Sequence, residues 1–104
     1  MTKFFFKTFI FLFFINNPAF SFEVKWIVDG LDQPESVIYD KKSDSIYISN
    51  INGNPLELDE NGYISKISVN GQILERKWIT GLNAPKGLAI HDNFLFVADV
   101  NKIW

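Results

Sequence analysis

Trp26-Ile-Val-Asp-Gly-Leu-Asp-Gln-Pro34 returns as Trp78-Ile-Thr-Gly-Leu-Asn-Ala-Pro85, one residue shorter. Both copies carry Gly-Leu-x-x-Pro, and Gly30 and Gly81 stand 51 positions apart, as do Pro34 and Pro85. The residues after each copy also match. Ser36-Val-Ile-Tyr-Asp40, a turn and Ile46-Tyr-Ile-Ser-Asn50 correspond to Gly87-Leu-Ala-Ile-His91, a shorter turn and Leu95-Phe-Val-Ala-Asp99. Four short strands at a period of about 50 residues is the spacing of a β-propeller blade. A single small sandwich leaves a repeat of this length and detail unexplained.

The strands themselves are read from composition and alternation. Ser36–Asp40 and Ser45–Asn50 are β-branched and aromatic runs separated by the polar Lys41-Lys-Ser-Asp44. Tyr63-Ile-Ser-Lys-Ile-Ser-Val69 alternates, with Tyr63, Ser65, Ile67 and Val69 on one face and Ile64, Lys66 and Ser68 on the other. Asn70-Gly71 then suits a type I′ turn, whose two central residues need positive φ. Gln72–Ile79 is expected to return antiparallel, and its charged Glu75 and Lys77 mark an exposed edge. Gly87–His91, a tight Asp92-Asn93 turn and Phe94–Asp99 come next, the last nearly all apolar, as a strand covered on both faces would be. There is no sustained helical period after Phe22. The chain beyond Ser21 is expected to be all-β.

The N-terminal residues read as an address. Lys3 and Lys7 precede the uncharged Phe9-Ile-Phe-Leu-Phe-Phe-Ile15, Asn16-Asn17-Pro18 breaks it, and Ala19-Phe20-Ser21 offers small residues for cleavage before Phe22. Residues 1–21 are therefore expected to be a secretory signal peptide, and the chain to be secreted, into a bacterial periplasm. Phe4 to Ile15 is 12 residues with Lys7 and Thr8 inside it, short of the roughly 20 apolar residues of a membrane span. Eight of the eleven Phe lie in the first twenty residues. Past Ser21, twelve acidic and eight basic side chains leave a mildly acidic segment, with no electrostatic case for nucleic acid. Absent cysteine removes disulfides, thiol nucleophiles and Cys-based metal sites.

Residues 22–104 thus divide into an outer closing strand (22–28), a first blade (36–79) and the start of a second (86–104). Rings of this kind hold about four to eight blades, and one repeat does not bury its faces without neighbours. The expectation is a β-propeller fragment of about one and a half four-stranded blades. Other blades, or self-association, would close the ring; a degenerate gene remnant is the remaining alternative.

The runs Gly-Leu-x-x-Pro-Glu-Ser-Val-x-Tyr-Asp, Ile46-Tyr-Ile-Ser-Asn-Ile-Asn-Gly53 and Pro85-Lys-Gly-Leu-Ala-Ile90 together resemble the gluconolactonase / senescence-marker-protein family. The likeness is greater to its secreted bacterial branch, six-bladed calcium-dependent propellers related to strictosidine synthase and NHL-repeat proteins. The resemblance implies one divalent ion, calcium or zinc, held in the central channel by a Glu of the first blade with an Asn and an Asp of later ones. It also implies hydrolysis of sugar lactones, with a lactone or sugar acid as the small-molecule ligand. Glu35 matches the first-blade ligand, although the family's Pro after Ser is Val37 here. The other ligands and the base have no counterpart among these 104 residues, so the chain alone is expected to be inactive. The rival reading is a non-catalytic propeller that binds a partner on its loop face, since the fold hosts both.

Glu35 also reads as a glutamate in a Pro-Glu-Ser turn without metal. Asn50 and Asp99 end equivalent strands, where short polar side chains bond the backbone of the next loop; ligation in the channel is the other reading. Glu57, Asp59 and Glu60 lack EF-hand spacing, and Asn61-Gly62 already explains them as a turn. His91 stands alone beside a turn. Trp26 and Trp78 share a repeat position and suit packing between blades better than a sugar platform.

Overall fold

The structure is a computed structural model that describes residues 21–104. The signal-peptide reading lies outside the described residues except at Ser21. The described part is all-β without a helix, built from two antiparallel sheets. Among the described residues, no helix is long and apolar enough to cross a membrane.

Four strands, β1 (Pro34–Asp40), β2 (Ser45–Asn50), β3 (Gly62–Ser68) and β4 (Ile73–Leu82), form a meander in the order β1-β2-β3-β4. Each strand turns back on its predecessor, through short turns at 41–44 and 69–72 and a longer loop at 51–61. Register pairs Ile38 with Tyr47 and Tyr47 with Lys66. Residues opposite one another share a face, so Ile38, Tyr47 and Ile64 face one way and Val37, Ile48 and Ile67 the other. The central strands bury most, with Tyr63, Ile64 and Ile67 at 1% exposure or less, while β1 and β4 are the sheet edges. Glu75 and Lys77 lie exposed on β4, as an edge strand requires.

β5 (Leu88–His91) and β6 (Phe94–Val97) make the second sheet, a hairpin with His91 opposite Phe94. Residues 103 and 104 begin a third strand beside β6. Ala98 bridges Ile103, and Trp104 exchanges both backbone bonds with Val97 at 3.0 and 3.2 Å. The hairpin lies on the Ile38 face of the first sheet: Leu88, Leu95 and Val97 pack with Ile38, Tyr47, Ile64, Trp78 and Leu82. Trp78 stacks on Tyr47, ring centroids 4.7 Å apart, so it packs between the two sheets.

Two expectations are corrected. The two-residue turn with both central φ positive lies at Asp92 (46°) and Asn93 (70°), not at Asn70-Gly71. At the latter only Gly71 is left-handed (φ 85°). Gly71 N–H donates to Ser68 O at 3.0 Å and Ser68 N–H to Gln72 O at 2.8 Å, the pattern of a three-residue loop closed by a left-handed glycine. Among the described residues, 22–28 pair with no strand of either sheet, and no last blade stands there for an outer strand to close. Trp26 holds them instead, its indole N–H donating to Val69 O at 3.0 Å while its ring covers Gly71. Finally, β6 is covered on one face only: Val97 is buried, whereas Phe94 is 66% and Phe96 41% exposed.

Candidate functional site

The two Gly-Leu-x-x-Pro loops enter β1 and β5 at the same end of the structure, and each is built alike. Gly30 and Gly81 share a left-handed φ of 82° and 81°, open to glycine at no steric cost. In each repeat the polar residue ending the second strand reaches back to the loop. Asn50 Oδ1 accepts the Asp32 N–H at 3.1 Å. Asp99 accepts the N–H groups of Asn83 at 2.9 Å and Ala84 at 2.8 Å. Asp32 and Asn83 are themselves repeat equivalents. Asn50 and Asp99 thus bond loop backbone, but the loop each ties is the one that precedes its hairpin and not the next one.

Their chemistry differs for a reason. Asn50 is fully buried and its amide donates to Ile48 O at 3.1 Å and Ser65 Oγ at 3.0 Å. That environment demands a donor as well as an acceptor. Asp99 meets donors only, adding the Val100 N–H at 2.8 Å and the Trp104 indole at 3.0 Å. Burial raises its pKa, but the bonds from Asn83, Trp104, Ala84 and Val100 outweigh it and hold the carboxyl below its ordinary value. Asp32 is likewise lowered, by the Tyr63 hydroxyl first and by Arg76 and Lys77, against a smaller opposing effect of burial. Tyr63 donates to Asp32 at 2.6 Å, and Arg76 pairs with the same carboxylate while its Nε–H reaches Gly30 O at 2.7 Å.

Glu35 sits on a bulge. Pro34 pairs with Asn50 and Ser36 with Ser49, leaving Glu35 as the extra residue at the start of an edge strand. Bulges re-aim a side chain out of the ladder pattern. The carboxylate is exposed and accepts the hydroxyl of Ser36. Its repeat equivalent is Lys86, whose ammonium is held by Pro55 O at 2.8 Å and Ala84 O at 3.0 Å. No group of three or more His, Asp or Glu able to hold a metal ion occurs among the described residues. Glu35 is one carboxylate donor outside any such group.

The remaining sequence candidates are placed apart from Glu35. His91 is a surface side chain, 79% exposed, beside Asp92. Glu57 meets Asn54 Nδ2, while Asp59 accepts the Asn61 N–H at 3.1 Å, the bonding of a self-capped loop. That loop also exposes Leu56 (77%) and Leu58 (60%), an apolar tip that sequence reading passed over although both leucines stand in an otherwise polar turn. The bulge at Glu35 was equally hidden, because pairing register is not written in one strand alone.

Compared with protein-family models, curated proteins and solved structures, the chain finds no match.

Proposed function

We propose that the chain forms the first blade and the inner half of the next in a secreted, ring-shaped β-propeller that hydrolyses a sugar lactone with the help of a divalent metal. The observation that carries this reading is Glu35: a solvent-facing carboxylate on a bulge at the start of the edge strand, at the end where the repeat loops gather. Hard cations such as calcium take six to eight oxygen ligands, and Glu35 supplies one. When bound, the ion polarises a carbonyl toward attack by water. The other ligands and the base must come from further blades, so the chain by itself is inert toward lactones. The order of the repeat supports the ring, since β1 and β5 would both face a central channel.

An amide-resolved NMR titration of the full chain with calcium, then zinc, tests the assignment, alongside a lactone hydrolysis assay. Weak shifts centred on Pro34–Ser36, lost in Glu35→Gln, with no hydrolysis above the buffer rate, are the expected outcome. Shifts confined to Asn54–Asn61, or hydrolysis that survives Glu35→Gln, would contradict it. A second reading, a binding module that takes a partner on its loop end, draws on the bare Leu56 and Leu58. It predicts that Leu56→Asp abolishes partner capture while Glu35→Gln does not.

A further inference from the structure

The way the hairpin sits on the first sheet identifies what the remaining bare faces match. The hairpin uses one face for this contact, formed by the opposed pairs Leu88–Val97 and Ile90–Leu95. Repeat register aligns these four with Val37, Ile48, Tyr39 and Ile46 of the first sheet, which are likewise opposed pairs on one face. That equivalent face is open to solvent along β1, with Val37 67% and Tyr39 52% exposed, while Ile46 and Ile48 beside them are half-buried and Ile67 on β3 is buried. The receiving face of the first sheet holds Ile38 and Tyr47, whose repeat equivalents Ala89 and Phe96 lie on the hairpin's outer side. There Phe96 is 41% exposed and touches Phe94, 66% exposed, with ring centroids 6.4 Å apart. Every chain therefore contains one inserted and one free copy of the same docking pairs, and one filled receptor beside the free equivalents of two of its residues, Ile38 and Tyr47; Ile64, Trp78 and Leu82 have no counterpart on the two-stranded hairpin.

We infer that a second copy of this chain covers these faces head to tail, the Val37–Tyr39–Ile46–Ile48 face of one copy seated on the Ala89–Phe94–Phe96 face of the next. The contact repeats the one already made within the chain and leaves a free face at each end, so it extends or closes into a ring according to its rotation. It is weaker than the internal contact. Ser49 Oγ donates to Lys86 O at 2.8 Å across the two sheets, and its repeat equivalent, Ala98, has no hydroxyl to do so. The inference depends on repeat register and bare apolar surface and not on the lactone-hydrolase reading, so either fails without the other.

Sedimentation velocity of the full chain, from about 1 to about 300 μM, the range of weak protein affinities, tests this with two variants. The parent should grow in mass with concentration. Val37→Asp and Phe96→Asp, both at exposed sites, should each stay monomeric while keeping the parent far-UV circular dichroism. An equimolar mixture of the two should form a species of two chains and nothing larger, because one intact docking face meets one intact receptor. Tyr39→Asp and Phe94→Asp take their places if either loses the sheet signal. A parent that stays monomeric throughout, variants that associate as the parent does, or a mixture that stays monomeric would each overturn the inference.

Discussion

The first sheet and the hairpin are two copies of one pattern carried to different degrees of completion. In the first, four strands bury Tyr63, Ile64 and Ile67 almost completely. In the second, two strands and the stub at 103–104 bury Val97 alone among their large apolar residues, and Phe94, Phe96, Ile103 and Trp104 remain exposed. Yet the entry loops of both copies share the left-handed glycine and the strand-end side chain that binds loop N–H groups. The loop device thus forms from local residues, whereas burial depends on how many strands stand alongside. Local geometry repeats with the sequence; the core does not.

The largest test of this comparison exchanges the two strand-end residues. Asn50→Asp puts a carboxylate, fully buried, against the Ile48 carbonyl and should cost about 3 kcal/mol or more, as an uncompensated buried charge does. Asp99→Asn should cost less at neutral pH, about 1–2 kcal/mol, because an amide group then meets donors it does not accept from. The same pair separates by pH. Asp99 has a folded pKa below its unfolded value of about 3.9. Its contribution is therefore present above that value and lost as pH falls through the folded pKa. Denaturant melts at stepped pH should show a shallower acid limb in Asp99→Asn than in the parent; Asp32 and Asp40, also lowered, supply what remains of it.

Glycine substitutions sharpen the contrast at lower cost. A Cβ on Gly62 would lie 2.3 Å from Pro85 Cδ and 2.7 Å from the Asn83 carbonyl, so the second entry loop is pressed against β3. Gly62→Ala should destabilise by about 1–3 kcal/mol, as overpacking does. Gly87, where the same loop runs into β5, has open space around it and no positive φ. Gly87→Ala should be neutral or stabilise by up to about 1 kcal/mol. Equal penalties in urea melts would mean that the second entry loop is not pressed against β3 as described.

The smallest effect is expected at Trp26. Its ring rests on Gly71 and its one hydrogen bond is to Val69 O. Trp26→Ala should shift global stability by less than about 1 kcal/mol, yet speed proteolysis within residues 22–28 severalfold, because among the described residues no other hydrogen bond holds that segment to the first sheet.

The strands were legible where alternation was strong. Tyr63–Val69 maps onto β3 within a residue at either end, and Ser45–Asn50 is β2 as read. The equivalence of Asn50 and Asp99 was also legible from the repeat, but which loop they tie was not, because that depends on how the chain enters the sheet. The features that stayed hidden depend on partners distant in sequence. Asn70-Gly71 carries the residue pair of a primed turn, but Val69 and Asn70 keep negative φ and only Gly71 crosses over. Asp92-Asn93 takes the primed turn without any glycine, both side chains being tolerant of left-handed backbone. The apolar run Phe94–Val97 signals two covered faces, while the structure covers one. Of the candidate site, Glu35 was readable as a residue; its place on a bulge came only from the pairing of β1 with β2.

Amide hydrogen exchange across the chain tests the central claim, that both entry loops are locked by the same strand-end device. The Asp32 and Asn83 amides should exchange slowly, near the rates of β2 and β3, although both lie outside the core strands, while residues 22–28 exchange freely. If the Asp32 and Asn83 amides exchange as fast as residues 22–28, the two copies do not share the device and the equivalence drawn between them is wrong.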